Sequence, residues 1–143
     1  SSLWAGYVEG DNQPLWPFGY GLSYTRFEYA DLKVDKMLMT ANDILKISVD
    51  VTNTGDRAGE EVVQLYIHDL YSTVTRPIKE LRGFRRISLL PGERKRVEFT
   101  LPAERLGALD ETMKFSVEPG DYEIMVGSSS DDSDLLKTVI TVR

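Results

Sequence analysis

From about Arg26 onward, apolar and polar residues alternate in short runs, each ended by a turn rich in Gly, Pro or Asn. Leu45, Ile47, Val49 and Val51 alternate with Lys46, Ser48, Asp50 and Thr52, the pattern of a strand with one buried face. Asn53-Thr-Gly-Asp56 breaks the run as a turn. Over 61–68, Val63, Leu65 and Ile67 then share one face, and Gln64, Tyr66 and His68 share the other. Leu90-Pro-Gly-Glu93 introduces Val97, Phe99 and Leu101, and Glu118-Pro-Gly-Asp121 introduces Tyr122, Ile124 and Val126. The β-branched run Thr138–Val142 closes the chain. Weaker strands are expected over 27–34, 81–89 and 113–117, with a bulge marked by Gly83. Pro102 to Leu109 leaves room for a single helical turn.

Short strands at this spacing, punctuated by Gly and Pro, predict an all-β, immunoglobulin-like antiparallel β-sandwich over 26–143. Its expected core is Leu45, Ile47, Val49, Val51, Val63, Leu65, Ile67, Phe84, Val97, Phe99, Leu101, Tyr122, Ile124 and Val126. Tyr122 begins its strand directly after a tight turn. In immunoglobulin-like sandwiches a Tyr there hydrogen-bonds back to the backbone; the alternative is an ordinary core Tyr.

Residues 1–25 obey no such period. Eight of the fourteen aromatic residues fall within the first 29 positions, most densely in Pro14-Leu-Trp-Pro-Phe-Gly-Tyr-Gly-Leu-Ser-Tyr24. So much Pro and Gly excludes a continuous helix or central strand, yet the rings are large apolar surfaces that need burial. The segment reads as an extended arm, with Trp4, Tyr7, Trp16, Pro17, Phe18, Tyr20 and Tyr24 as residues that dock on another domain. The other reading folds these rings back onto the chain's own core.

With 41% hydrophobic and 28% charged residues, the composition is that of a globular domain. A net charge of -6 and a pI near 4.8 argue against a nucleic-acid or anionic-membrane partner. No apolar run approaches the ~20 residues of a membrane-spanning helix. The sequence opens at Ser1-Ser2-Leu3-Trp4 without an initiator Met, which suits a fragment or a processed product.

Chemistry is sparse. Without Cys there is no thiolate, and a single His, His68, cannot build a multi-His metal site. Ser23 lacks a nucleophile-elbow setting and a second His as base. Glu60 and Glu61 are neighbours on a strand and point to opposite faces, so they cannot flank one substrate. Asp131, Asp132 and Asp134 lack the closing Glu of a calcium loop and read as a solvated turn. Gly19 and Gly21 do not open a helix, which disfavours a phosphate cradle. Arg82, Arg85, Arg86, Arg94, Lys95 and Arg96 interleave with Glu80, Glu93 and Glu98, as cross-strand ion pairs do. No catalytic, cofactor or metal site is expected.

Several stretches resemble a known family. Pro14-Leu-Trp-Pro-Phe-Gly-Tyr-Gly-Leu-Ser-Tyr-Thr25 is similar to the P-L-[YFW]-P-F-G-[HY]-G-L-S-Y-T signature of family 3 glycoside hydrolases, where it opens the C-terminal fibronectin type III-like domain. Val51-Thr-Asn-Thr-Gly-Asp-Arg-Ala-Gly59, Glu61-Val-Val-Gln-Leu-Tyr66, Arg76-Pro-Ile-Lys-Glu-Leu-Arg-Gly-Phe84 and Leu90-Pro-Gly-Glu93 resemble the elements that follow. Glu118 to Ser129 resembles the closing P-G-x-[YF]-x-[IV]-x-V-G-x-S element. The resemblance implies residues 1–25 as a linker and docking arm from a preceding α/β domain, and 26–143 as the fibronectin type III-like domain. It implies a parent that is a retaining β-glucosidase, with an Asp nucleophile in a barrel and an acid/base Glu in an α/β domain. Neither catalytic motif is present here. The implied partners are those two catalytic domains and, through them, an oligosaccharide or glycoside substrate. An autonomous carbohydrate-binding or protein-interaction module, with Trp4, Tyr7 and Trp16 stacking on sugar rings, is the alternative.

Overall fold

The longer strands form where the alternation places them. In the computed structural model, which describes residues 25–70, 79–109 and 112–143, they are β1 (Phe27–Val34), β2 (Leu38–Met39), β3 (Ile44–Asn53), β4 (Gly59–Asp69), β5 (Lys79–Leu89), β6 (Arg94–Pro102), β7 (Ala108–Leu109), β8 (Phe115–Ser116), β9 (Gly120–Gly127) and β10 (Leu135–Val142). One sheet has the order β1-β3-β6 and faces a second with the order β2-β10-β9-β4-β5, while β7 and β8 form a small hairpin. The pairings are antiparallel except for β2, which lies parallel to β10. The helical turn expected within 102–109 is a 3-10 turn over Ala103–Leu106.

The core is the interleaving of two inner faces. Leu45, Ile47, Val49 and Val51 of β3, with Val97, Phe99 and Leu101 of β6, meet Val63, Leu65 and Ile67 of β4 and Tyr122, Ile124 and Val126 of β9. Met39, Leu89, Ala103, Leu106, Ile140 and Val142 complete it. Each fully buried aliphatic side chain in such a core contributes about 1.5–3 kcal/mol.

Phe84 corrects the expected core: it is 62% exposed. β4 and β5 shift register between Leu65 and Tyr66, whose partners are Gly83 and Leu81, so Arg82 is the extra residue of a bulge beside Gly83. Gly83 takes the inward position opposite Leu65, and a Cβ there would lie 3.4 Å from the Phe99 ring. Arg85 takes the next, its guanidinium 5.6 Å from the Phe99 centroid. Phe99 thus fills the space under β5, and Phe84 turns outward.

The open side between β5 and β6 is bridged in both directions. Arg85 Nε donates to the Glu98 carbonyl (3.2 Å), and Lys95 Nζ donates to the Ser88 carbonyl (3.0 Å). Other cations pair differently from the sequence expectation. Arg82 meets Glu80, but Arg94 reaches Asp50 (2.7 Å) and Asp31 (2.8 Å), and Arg96 reaches Asp50 (3.2 Å). The Glu93 carboxylate instead accepts from the Leu90 N–H at 2.8 Å and closes its own turn.

Each end of the sandwich has a polar lock. At one end Asn53 is fully buried; its Nδ2 donates to the carbonyls of Arg57 (2.8 Å) and Leu89 (3.1 Å), and its Oδ1 accepts from Gly55 N–H (2.9 Å). Its main chain joins the 90–93 turn, donating to Glu93 (2.9 Å) and accepting from Gly92 (2.8 Å). Gly92 has φ +79, a left-handed conformation that glycine adopts without a Cβ penalty. At the other end the Tyr122 hydroxyl donates to the Glu118 carbonyl (2.7 Å) and accepts from the Glu118 N–H (3.1 Å), the corner foreseen from Pro119-Gly-Asp-Tyr122.

These locks should differ in weight. Asn53→Ala strands two carbonyls and an amide and is expected to cost about 3 kcal/mol, whereas Tyr122→Phe should cost about 1 kcal/mol. Urea unfolding of both variants, with an unchanged m-value, checks the ranking.

Candidate functional site

Several of the described residues that could carry chemistry are tied into structural pairs. Glu60 and Glu61 part as expected: Glu60 is exposed and Glu61 is partly buried. Glu61 turns toward β1, where its Oε2 accepts the Tyr29 hydroxyl at 3.0 Å and so joins the two sheets. Burial pushes the Glu61 carboxyl above its ordinary range, and burial with the Glu61 charge pushes the Tyr29 phenol far upward. The adjoining hollow, lined by Phe27, Tyr29, Ser128 and Ser133–Leu136, holds about 210 Å³. That is below the ~300–1,000 Å³ of ordinary ligand pockets.

His68 makes a single side-chain contact among the described residues, Nδ1 to Glu123 Oε1 at 3.4 Å. Asp131 caps the 3-10 turn Asp132–Asp134 by accepting from Ser133 N–H (3.3 Å). Asp134 accepts from the Ser129 hydroxyl (2.8 Å), and Asp132 pairs with Lys79 and Lys137. No group of three His, Cys, Asp or Glu side chains suited to a metal ion occurs among the described residues.

Arg82, read from the sequence as one of the cross-strand cations, is a clamp. From its bulge it donates to the carbonyls of Arg105 (3.0 Å) and Gly107 (2.9 Å), fastening the turn after β6 to β5. The Arg82 and Arg105 guanidiniums lie 5.3 Å and 4.4 Å from the Phe115 ring centroid. On the outer face of the three-stranded sheet, Asp50 is only 6% exposed beneath Arg94 and Arg96. The Arg94 hydrogen bond, then Arg96, hold its carboxyl below the ordinary range.

The docking residues read from the sequence, Trp4, Tyr7, Trp16, Pro17, Phe18, Tyr20 and Tyr24, lie outside the described residues. The described chain opens at Thr25, whose hydroxyl donates to the Arg57 carbonyl (2.9 Å). A Cβ on Gly59 would lie 2.9 Å from Thr25 Cγ2, so Gly59 is what lets the chain pass there.

Two of the shifted carboxyls, Asp50 and Glu61, predict opposite pH behaviour. Asp50 has a lowered folded pKa, so its stabilisation is present above its ordinary 3.8 and fades as pH falls through the folded value. Asp50→Asn should therefore destabilise at pH 7 and converge with the parent chain in acid. Glu61 has a raised folded pKa, so its ionisation opposes folding increasingly above its ordinary 4.5. Glu61→Gln keeps an acceptor for Tyr29 and should stabilise at pH 7, with no gain in acid. Melting curves across pH 3–8 read both signs.

Comparison with known proteins gives a consistent picture. Residues 61–130 match the family model of the fibronectin type III-like domain. A β-xylosidase of Formosa agariphila is 47% identical over 137 residues, covering 96% of this chain and 19% of its own length. Thermostable β-glucosidase B of Acetivibrio thermocellus is 46% identical over 141 residues, with the same coverages of 96% and 19%. Among solved structures, a β-glucosidase from Erythrobacter marinus superposes with a TM-score of 0.76 at 46% identity, over 99% of this chain and 18% of that one. A Listeria innocua β-glucosidase mutant in complex with laminaribiose gives 0.68 at 31% identity, over 97% and 19%. The chain thus spans about a fifth of the length of these relatives. With its sandwich, its tyrosine corner and its matches along nearly all of its length, the chain is similar to the fibronectin type III-like domains that form the C-terminal part of family 3 glycoside hydrolases.

Proposed function

We propose that this chain is the C-terminal structural domain of a retaining β-glucosidase acting on terminal β-D-glucosyl residues, and that it supports the catalytic domains without supplying a catalytic residue. One observation carries the reading: nearly the whole chain aligns with under a fifth of each β-glucosidase compared, leaving four-fifths of those proteins for the chemistry. Its own carboxylates support this. Asp50, Glu61 and Glu123 are each engaged by a neighbouring side chain, whereas retaining hydrolysis needs two carboxyls about 5 Å apart across an open cleft. Residues 1–25 serve as the linker and docking arm, lying against the barrel and α/β domains of the parent. Trp16 and Phe18 are its anchors, with Pro17 keeping the backbone extended.

The purified chain should not hydrolyse a nitrophenyl glucoside; activity that is lost on mutating a residue of this chain would reverse the assignment. Burial of Trp16 and Phe18 is worth roughly 2–3 kcal/mol each. Trp16→Ala with Phe18→Ala should lower the melting temperature of the parent enzyme and leave that of the isolated sandwich nearly unchanged. Collapse of the isolated sandwich would instead assign the arm to its own core.

A further inference from the structure

The two outer faces of the sandwich differ in kind. On the three-stranded sheet, register sets Glu28, Lys46, Ser48, Thr52, Glu98 and Thr100 outward around the Asp50 ion pairs, and the single exposed large apolar side chain on these strands is Ile44, at the start of β3. On the β4–β5 half of the other sheet, Val62 pairs with Arg86, Gln64 with Phe84, and Tyr66 with Leu81 and Met125. Phe84 is 62% exposed and Leu81 49%, side by side on the same surface. Singly exposed apolar residues are ordinary, but an aromatic and a Leu grouped over further apolar side chains mark a contact surface.

The polar groups within this patch are already satisfied. The Tyr66 hydroxyl donates to Gln64 Oε1 (2.5 Å), and Gln64 Nε2 donates to the Ser128 carbonyl (2.8 Å). Below them His68 faces Glu123. A partner covering the patch therefore buries Phe84 and Leu81 without stranding these donors and acceptors, which removes the main penalty for desolvating a polar surface. Arg86 stands at the rim, exposed and without an ion pair among the described residues, on a chain of net charge -6. An apolar surface bearing a carboxylate complements it.

We propose that the outer face of the β4–β5 pair, centred on Phe84 and Leu81, seats against a neighbouring domain of the same polypeptide, in an apolar hollow with a carboxylate opposite Arg86. This rests on the docking role proposed above and adds which face docks. The relatives' extra length supplies the occupant: this chain matches 19% of each of two of them, so such a domain is tethered beside far larger ones. Tethering raises the effective concentration of a contact too small to hold two free chains.

Photo-crosslinking in the full-length polypeptide tests the proposal. A benzoylphenylalanine is placed at position 84 or, as a control on the opposite outer face, at position 100, and crosslinked peptides are mapped by mass spectrometry. The expected result is a crosslink from 84 to another domain of the same chain, none from 100, and loss of the position-84 crosslink with Arg86→Glu. Crosslinks from 100 but not from 84 would overturn the face assignment and leave the docking role standing. Crosslinks from neither position would count against both. A crosslink from 84 that joins two copies, or one abolished by cello-oligosaccharide, would assign the face to self-association or to sugar and overturn the proposal. Phe84→Ser with Leu81→Ser in the 143-residue chain should leave its own melting temperature unchanged, since neither side chain is in the core.

Discussion

One amide side chain fixes the geometry from which the rest of this sandwich follows. Asn53 ends β3 in one sheet, and its Nδ2 grips the carbonyl that ends β5 in the other. The same group closes the 53–57 turn, while its backbone anchors the turn into β6. A buried amide with each bond made is stabilising, whereas a half-satisfied one would be worse than an apolar residue. Asn53 therefore sets the spacing and stagger of the two sheets at this end, and the core packs into the space it defines. Tyr122 does the corresponding work at the far end with a single hydroxyl.

The alternation made most of this legible. Val63, Leu65 and Ile67 lie inward because side chains on a strand alternate, and Tyr122 forms its corner because a Pro-Gly turn delivers it there. What stayed hidden depended on tertiary accommodation. Phe84 read as core because it is aromatic and lies in a strand, but its orientation is set by Phe99 occupying the space beneath Gly83. Counting back by two from Leu89 and Ile87 places 85 and 83 inward and 84 outward, so the signal was present in the register. β2 carries no such signal, because two residues have no period; it exists through Met37 and Met39 carbonyls accepting from Thr141 and Arg143. The ion pairs were misassigned for a related reason. Arg94 and Arg96 find Asp50 across the sheet, a neighbour fixed by register and not by proximity in sequence.

Function was legible mainly by subtraction. Glu61 and His68 were the side chains closest to chemistry, and each is held by a side chain of another strand. Tyr29 with Glu61 links the sheets as a polar strut, a role that needs an acceptor for the phenol and no proton transfer. A domain built this way is suited to the supporting role proposed for it.

The reciprocal bridges between β5 and β6 have a consequence for how such a domain travels through synthesis. An open sandwich presents raw strand edges, and an unpaired edge is a template on which a foreign strand can add. Here Arg85 and Lys95 occupy carbonyls of the facing edges with positively charged side chains. An incoming strand meets acceptors already taken and a cationic fringe that must be stripped before pairing can begin. A β-rich unit emerging beside other unfinished domains is thereby guarded against intermolecular sheet growth and swapping of strands, by two side chains that also close its own seam.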